Sequence, residues 1–103
     1  VEDVKDGKHQ EAGWANSCYG TSKAAVIVLT RILAKELASK KIVCNSMCPG
    51  YCKTDMTSNM GYRSAAEGAD TAVWLALQVA ESSDDKRPTG GFFADRKPLT
   101  VKP

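Results

Sequence analysis

Between Cys18 and Ser39 apolar residues return every three or four positions: Ala25, Leu29, Ile32, Leu33 and Leu37 fall on one side, Arg31, Lys35 and Lys40 on the other. That period predicts an amphipathic α-helix whose apolar face packs on a sheet. Asn16 or Ser17 can cap its first turn, since their side-chain oxygens accept from free backbone N–H groups. Residues 42–48, Ile-Val-Cys-Asn-Ser-Met-Cys, are short, contain β-branched side chains and stop at Pro49-Gly50. They predict a strand buried on both faces, one or two residues beyond the helix. A polar stretch follows to Arg63, then Ser64 and Glu67 at capping-box spacing. A second helix is predicted there, with Ala69, Ala72, Val73, Ala76 and Leu77 as its apolar stripe, ending before the loop-like Glu81-Ser82-Ser83-Asp84-Asp85. Gly90-Gly91-Phe92-Phe93-Ala94 predicts one last short strand, and residues 1–14 a short helix and a loop.

Two strands and two long helices form only part of an α/β layer structure, because parallel strands buried on both faces need neighbours. The sequence also begins without Met, in a charged stretch. Residues 1–103 are therefore expected to be part of a single α/β domain, a fragment whose missing strands lie elsewhere.

Composition narrows the function classes. With 43% hydrophobic and 25% charged residues the chain has globular composition, and a net charge of +2 creates no strong field. Lys40-Lys41 suits a helix C-terminus better than a nucleic-acid patch, so nucleic acid is not an expected partner. No apolar run approaches the ~18–20 residues of a membrane span, and the polar N-terminal stretch is unlike a signal peptide. A soluble, cytoplasmic protein is expected. Cys44 and Cys48 on one strand would stand roughly 13 Å apart, beyond disulfide or shared-zinc reach. Cys18, Cys44, Cys48 and Cys52 are thus expected to be free thiols in a reducing compartment, and no Cys-x-x-Cys motif supports redox sensing. His9 lacks a second histidine or a cysteine pair, so it is expected to be solvated and no metal site is assigned.

The candidate chemistry is carried by Tyr19 and Lys23, a Tyr-x-x-x-Lys pair in the first turns of the long helix. Positions i and i+4 share a helix face with Cβ atoms roughly 5–6 Å apart, so both side chains can reach one reacting group. A cationic neighbour favours phenolate over phenol, which suits a phenol for protonating a carbonyl oxygen near neutral pH. Pro49-Gly50 and Thr54-Asp55-Met56, directly after the strand, form a second linked motif.

Val1-Glu2-Asp3, Gly7-Lys8-His9-Gln10, Gly13-Trp14, Tyr19-Gly20-x-x-Lys23, Asn45, Cys48-Pro49-Gly50 and Thr54-Asp55-Met56 together resemble the C-terminal part of the NADPH-dependent carbonyl reductases, a branch of the short-chain dehydrogenase/reductase family. The resemblance runs through nearly all of the chain. It implies the C-terminal portion of a doubly wound Rossmann fold, carrying the catalytic helix, two late strands and the substrate loop. The N-terminal cofactor half is absent, and no Gly-x-x-x-Gly-x-Gly pattern occurs. By the same resemblance, Tyr19 is the general acid and Lys23 tunes it and binds the cofactor ribose. Pro49, Gly50, Tyr51, Cys52 and Thr54 meet the nicotinamide end of NADPH, Tyr51 and Met56 line the substrate pocket, and Cys48 matches a cysteine near the cofactor. The implied activity is reduction of ketones, aldehydes or quinones by hydride from NADPH. The complete enzyme is expected to be a monomer, with residues 1–14 covering the surface that relatives use for association. The isolated chain is expected to be inactive, and the competing reading is a non-catalytic truncated chain that binds a partner through its exposed edge.

Overall fold

The computed structural model describes residues 2–8, 10–13, 17–83 and 86–100; His9 and Asn16 lie outside the described residues. A short helix α1 (Glu2–Lys5) precedes the long helix α2 (Cys18–Leu37), which a 3-10 turn (Ala38–Lys40) extends. Strand β1 (Ser46–Met47), a 3-10 turn (Asp55–Thr57), helix α3 (Ala65–Glu81) and strands β2 (Phe92–Ala94) and β3 (Lys97–Leu99) follow. The sheet order is β1-β2-β3. β1 and β2 are parallel, with Ser46 opposite Phe92, and are joined through α3, while β2 and β3 form an antiparallel hairpin. This is an α/β arrangement built on one crossover unit.

Ser17 caps α2 as expected, its Oγ accepting from Gly20 N at 3.0 Å. Both halves of the capping box at α3 are made: Glu67 N donates to Ser64 Oγ (3.1 Å) and Ser64 N to Glu67 Oε1 (3.0 Å). The 3-10 turn that extends α2 ends where Lys41 takes a left-handed conformation, φ 59°.

The buried faces differ from those the periodicity predicts. On α2 the buried residues are Thr30 and Ala34, while Leu29 and Ile32 stay about half exposed at 51% and 50% and Ala25 is exposed. The strip that meets the sheet is the one with small side chains. A Cβ on Gly90 would come within 3.4 Å of the Ala34 methyl, so the approach to the hairpin segment is close there. Thr30 satisfies its buried hydroxyl by donating to Val26 O at 2.8 Å. On α3 the buried set is Gly68, Thr71 and Leu75, and the predicted stripe of Ala69, Ala72, Val73, Ala76 and Leu77 is exposed. The reason is again contact distance: at Gly68 a Cβ would fall less than 3.0 Å from Cys52 Sγ, so this is where the helix seats on the loop.

The strand predicted over residues 42–48 is reduced to Ser46–Met47, and its residues are half-buried rather than buried. Edge position in the sheet accounts for the exposure, since β1 has a strand on one side only. Residues 44 and 45 are held by other bonds. Cys44 N donates to Thr89 Oγ1 (3.1 Å) and Cys44 O accepts from Gly90 N (2.7 Å). Asn45 donates from Nδ2 to Pro88 O (2.8 Å) and accepts at Oδ1 from Gly91 N (3.1 Å). The Asn45 side chain thus serves a main-chain acceptor and a main-chain donor of the 88–91 segment in place of ladder bonds.

The third strand is not among those the sequence predicts. Its turn, Asp95-Arg96, places both residues at positive φ, 50° and 61°, as a two-residue hairpin requires, but without the Asn-Gly or Asp-Gly signature. Arg96 grips Asp70 on α3 through two bonds of 2.9 and 2.8 Å, and its N–H donates to Thr71 Oγ1 (3.2 Å).

The core is thin. Among the described residues Ala34, Cys52, Leu75 and Phe93 are its buried apolar members, with Trp74 edge-on to Phe93 at 6.1 Å between centroids. The radius of gyration, 16.5 Å, exceeds the roughly 13 Å of a compact domain of this length.

Candidate active site

The N-terminal end of α2 and the loop after β1 border a common open cleft of ≈670 Å³. Tyr19, Pro49, Gly50, Tyr51, Cys52, Thr54 and Met56 all line it. Seven of the eight residues singled out in the sequence are thus brought to one place although 37 positions separate Tyr19 from Met56. Lys23, the eighth, stands behind Tyr19 with its Nζ over the ring, 5.4 Å from the centroid, within cation–π range. Tyr19 is 61% exposed, so its phenol is open to a ligand. The backbone beneath it is fixed by the cap and by Ser22 Oγ, which donates to Tyr19 O at 2.8 Å.

The opposite wall is set by Pro49-Gly50. Gly50 has φ 82°, in the left-handed region, and a Cβ there would lie 3.0–3.1 Å from the Arg63 side chain. Both conditions call for glycine. Beyond it, Cys52 is buried, its thiol directed at Pro49 O (3.5 Å) and Gly50 O (3.6 Å). Of the remaining cysteines Cys44 is half-buried, whereas Cys18 and Cys48 are exposed.

Residues 51–63 form a closed loop. Tyr62 N and Arg63 N both donate to Tyr51 O (3.1 and 3.2 Å), and Lys53 N donates to Arg63 O (2.8 Å). Inside it Thr57 Oγ1 donates to Cys52 O and accepts from Thr54 N (3.1 Å), fixing the 3-10 turn that presents Met56. Met56 is 78% exposed, and the Tyr51 ring meets the Tyr62 ring at 6.3 Å. The cleft is consequently walled by the Tyr51 ring, the Met56 thioether and a turn of backbone, with the exposed Tyr19 phenol beside them.

Thr57, Ala65, Gly68 and Ala69 also line the cleft and are not among the residues the sequence singles out. Gly68 carries the usable signal, a glycine inside a helical pattern, which marks a close approach. In the sequence Arg63 marks only the end of a loop. Its Nη1 meets Asp95 Oδ1 at 2.7 Å, which holds the Asp95 carboxyl below the ordinary range and the guanidinium above its own.

A Rossmann-type α/β unit with a Tyr-x-x-x-Lys pair facing a Pro-Gly turn defines a dehydrogenase class, and residues 6–65 match the short chain dehydrogenase family: the chain belongs to the short-chain dehydrogenases/reductases. Among curated relatives it is 46% identical over 101 residues to carbonyl reductase (NADPH) 1 of Mus musculus and 44% identical over 100 residues to carbonyl reductase (NADPH) 3 of Rattus norvegicus. These alignments cover 94% and 93% of this chain but 35% of each relative, so the chain spans about a third of their length. Salutaridine reductase from Papaver somniferum superposes with a TM-score of 0.71 at 38% identity, over 91% of this chain and 30% of that one. The Rossmann-type α/β portion expected from the sequence agrees with these matches.

Proposed function

We propose that these residues form the proton-donating and substrate-facing part of an NADPH-dependent carbonyl reductase acting on ketones, aldehydes or quinones. The observation that carries the reading is the cleft itself, which gathers Tyr19, the Pro49-Gly50 turn and Met56 from separate elements. The donor set suits the nicotinamide–ribose end of the cofactor. Gly50 lets backbone approach a flat ring closely, the Thr54 side chain is near the turn, and Lys23 is a compact cation able to donate to ribose hydroxyls. NADPH, when bound, supplies the hydride. Tyr19 gives the proton to the carbonyl oxygen, with the Lys23 ammonium beside its ring. Tyr51 and Met56 bracket the apolar part of the substrate, the ring supplying a flat wall and the thioether an adaptable one.

The wider picture has the same origin. The exposed apolar positions of α2 and α3, among them Val28, Leu29, Ile32, Val73 and Leu77, are the surfaces that the rest of a doubly wound fold covers. The complete protein acts as a monomer in the cytoplasm, and the 103 residues alone are inactive and hold NADPH weakly, because they carry no Gly-rich phosphate turn. In the complete enzyme, Tyr19→Phe lowers kcat by roughly 10²–10⁴-fold while NADPH affinity is nearly kept. Lys23→Met damages both. A Phe variant retaining more than half of the rate refutes the assignment, and sub-micromolar NADPH binding by the isolated chain in a calorimetric titration refutes the division of labour.

A further inference from the structure

We propose that Arg63 is a positioning residue of this site: its guanidinium clamps the Pro49–Tyr51 turn to the Asp95 hairpin and so sets the backbone that faces the nicotinamide. The inference rests on the reading above for what the turn contacts, but the clamp is a matter of geometry. Nη1 reaches Pro49 O at 3.4 Å and Asp95 Oδ1 at 2.7 Å, bridging two elements that lie far apart along the chain. The Arg63 side chain also covers the face of Gly50, with three of its atoms within 3.1 Å of where a Cβ would stand. The main chain of the same residue closes the loop, accepting from Lys53 N and donating to Tyr51 O. One residue therefore fixes the turn at 49–50, both ends of the substrate loop and, through Asp95, the loop's position on β2. The guanidinium also lies over the Tyr62 ring, its carbon 5.7 Å from the centroid.

Both contacts are made by one cationic nitrogen, Nη1, and an ammonium likewise offers its charge and three donors at a single point. Arg63→Lys should therefore keep the ion pair and loosen the turn only slightly, and Arg63→Met should release it. The complete enzyme is tested in two ways. Deuterium uptake by the amides of residues 50–54, in protein without ligand, is expected to quicken ~2–5-fold in Arg63→Met, the scale on which an exposed ion pair acts, with Asp95→Asn intermediate and Arg63→Lys near wild type. The KM for NADPH is expected to rise by a similar factor in the same order, with the KM for the carbonyl substrate less affected. Unchanged uptake in Arg63→Met overturns the clamp whatever the cofactor. Faster uptake with an unchanged NADPH KM overturns its role in positioning. Failure of the broader reading is seen separately, as an active Tyr19→Phe enzyme, and leaves the uptake result standing.

Discussion

Gly68→Ala tests the tightest seat of a helix on the substrate loop. The added methyl would sit less than 3.0 Å from Cys52 Sγ and 3.4 Å from Pro49 Cβ. Non-bonded heavy atoms settle at about 3.5–4.0 Å, so the overlap with sulfur is more than about 0.5 Å and something must move. Cys52 has little room to yield, being buried against Pro49 and Gly50. Overpacking of this kind costs roughly 1–3 kcal/mol. Alanine offsets about 1 kcal/mol through its better helix propensity. A net destabilisation of about 1–2 kcal/mol is expected from urea unfolding. Cys52→Ala alone should cost about 1 kcal/mol for the atom removed. In the double variant the methyl added at position 68 occupies the space vacated by sulfur, so the two losses should cancel in part, with a coupling of at least about 1 kcal/mol. Strict additivity, within about 0.5 kcal/mol, or a stabilised Gly68→Ala single variant would show that α3 does not seat on the loop through this pair.

Ser64→Ala should destabilise the start of α3 by about 1 kcal/mol, since Glu67 N loses its acceptor, and faster amide exchange at residues 65–68 reports it. The carboxyls of Asp70 and Asp95 are held below their ordinary range, first by hydrogen bonds from Arg96 and Arg63, and Glu67 is lowered by the Ser64 backbone N–H. A depressed folded pKa contributes stability that is present above the unfolded value, near 3.8 for Asp, and is lost as pH falls through the lower folded value. Stability is therefore expected to be level across neutral pH and to decline below about pH 4. The Asp70→Asn/Asp95→Asn variant should show a shallower acid limb in urea midpoints taken from about pH 3 to about pH 7. An unchanged limb would contradict the two ion pairs.

The candidate constellation was legible because its parts are local. Tyr19 and Lys23 are one helical turn apart, and Pro49-Gly50 is a turn signal whatever surrounds it. Helix caps were legible for the same reason, as Ser17 and Ser64 show. Tertiary choices were less so. Periodicity picks out the larger apolar stripe on each helix, whereas packing within these 103 residues uses the smaller one, Thr30/Ala34 and Gly68/Thr71/Leu75, where small residues let backbones approach. Arg63 was invisible as a clamp because its partner Asp95 lies 32 positions away, on a turn whose residues do not announce a hairpin.

That turn has a consequence for the order in which the chain folds. An Asn-Gly turn can close a hairpin locally, before the rest of the protein is in place, because its residues accept positive φ readily. Asp95 and Arg96 do so less readily, and each is tied outward, to Arg63 and to Asp70. The β2–β3 hairpin is thereby made dependent on α3 and the substrate loop having docked first. β2 itself pairs with β1 across 46 positions of sequence, a contact that is slow to form because the intervening chain must be ordered. The last two strands are expected to close late, after α3 and the substrate loop have docked.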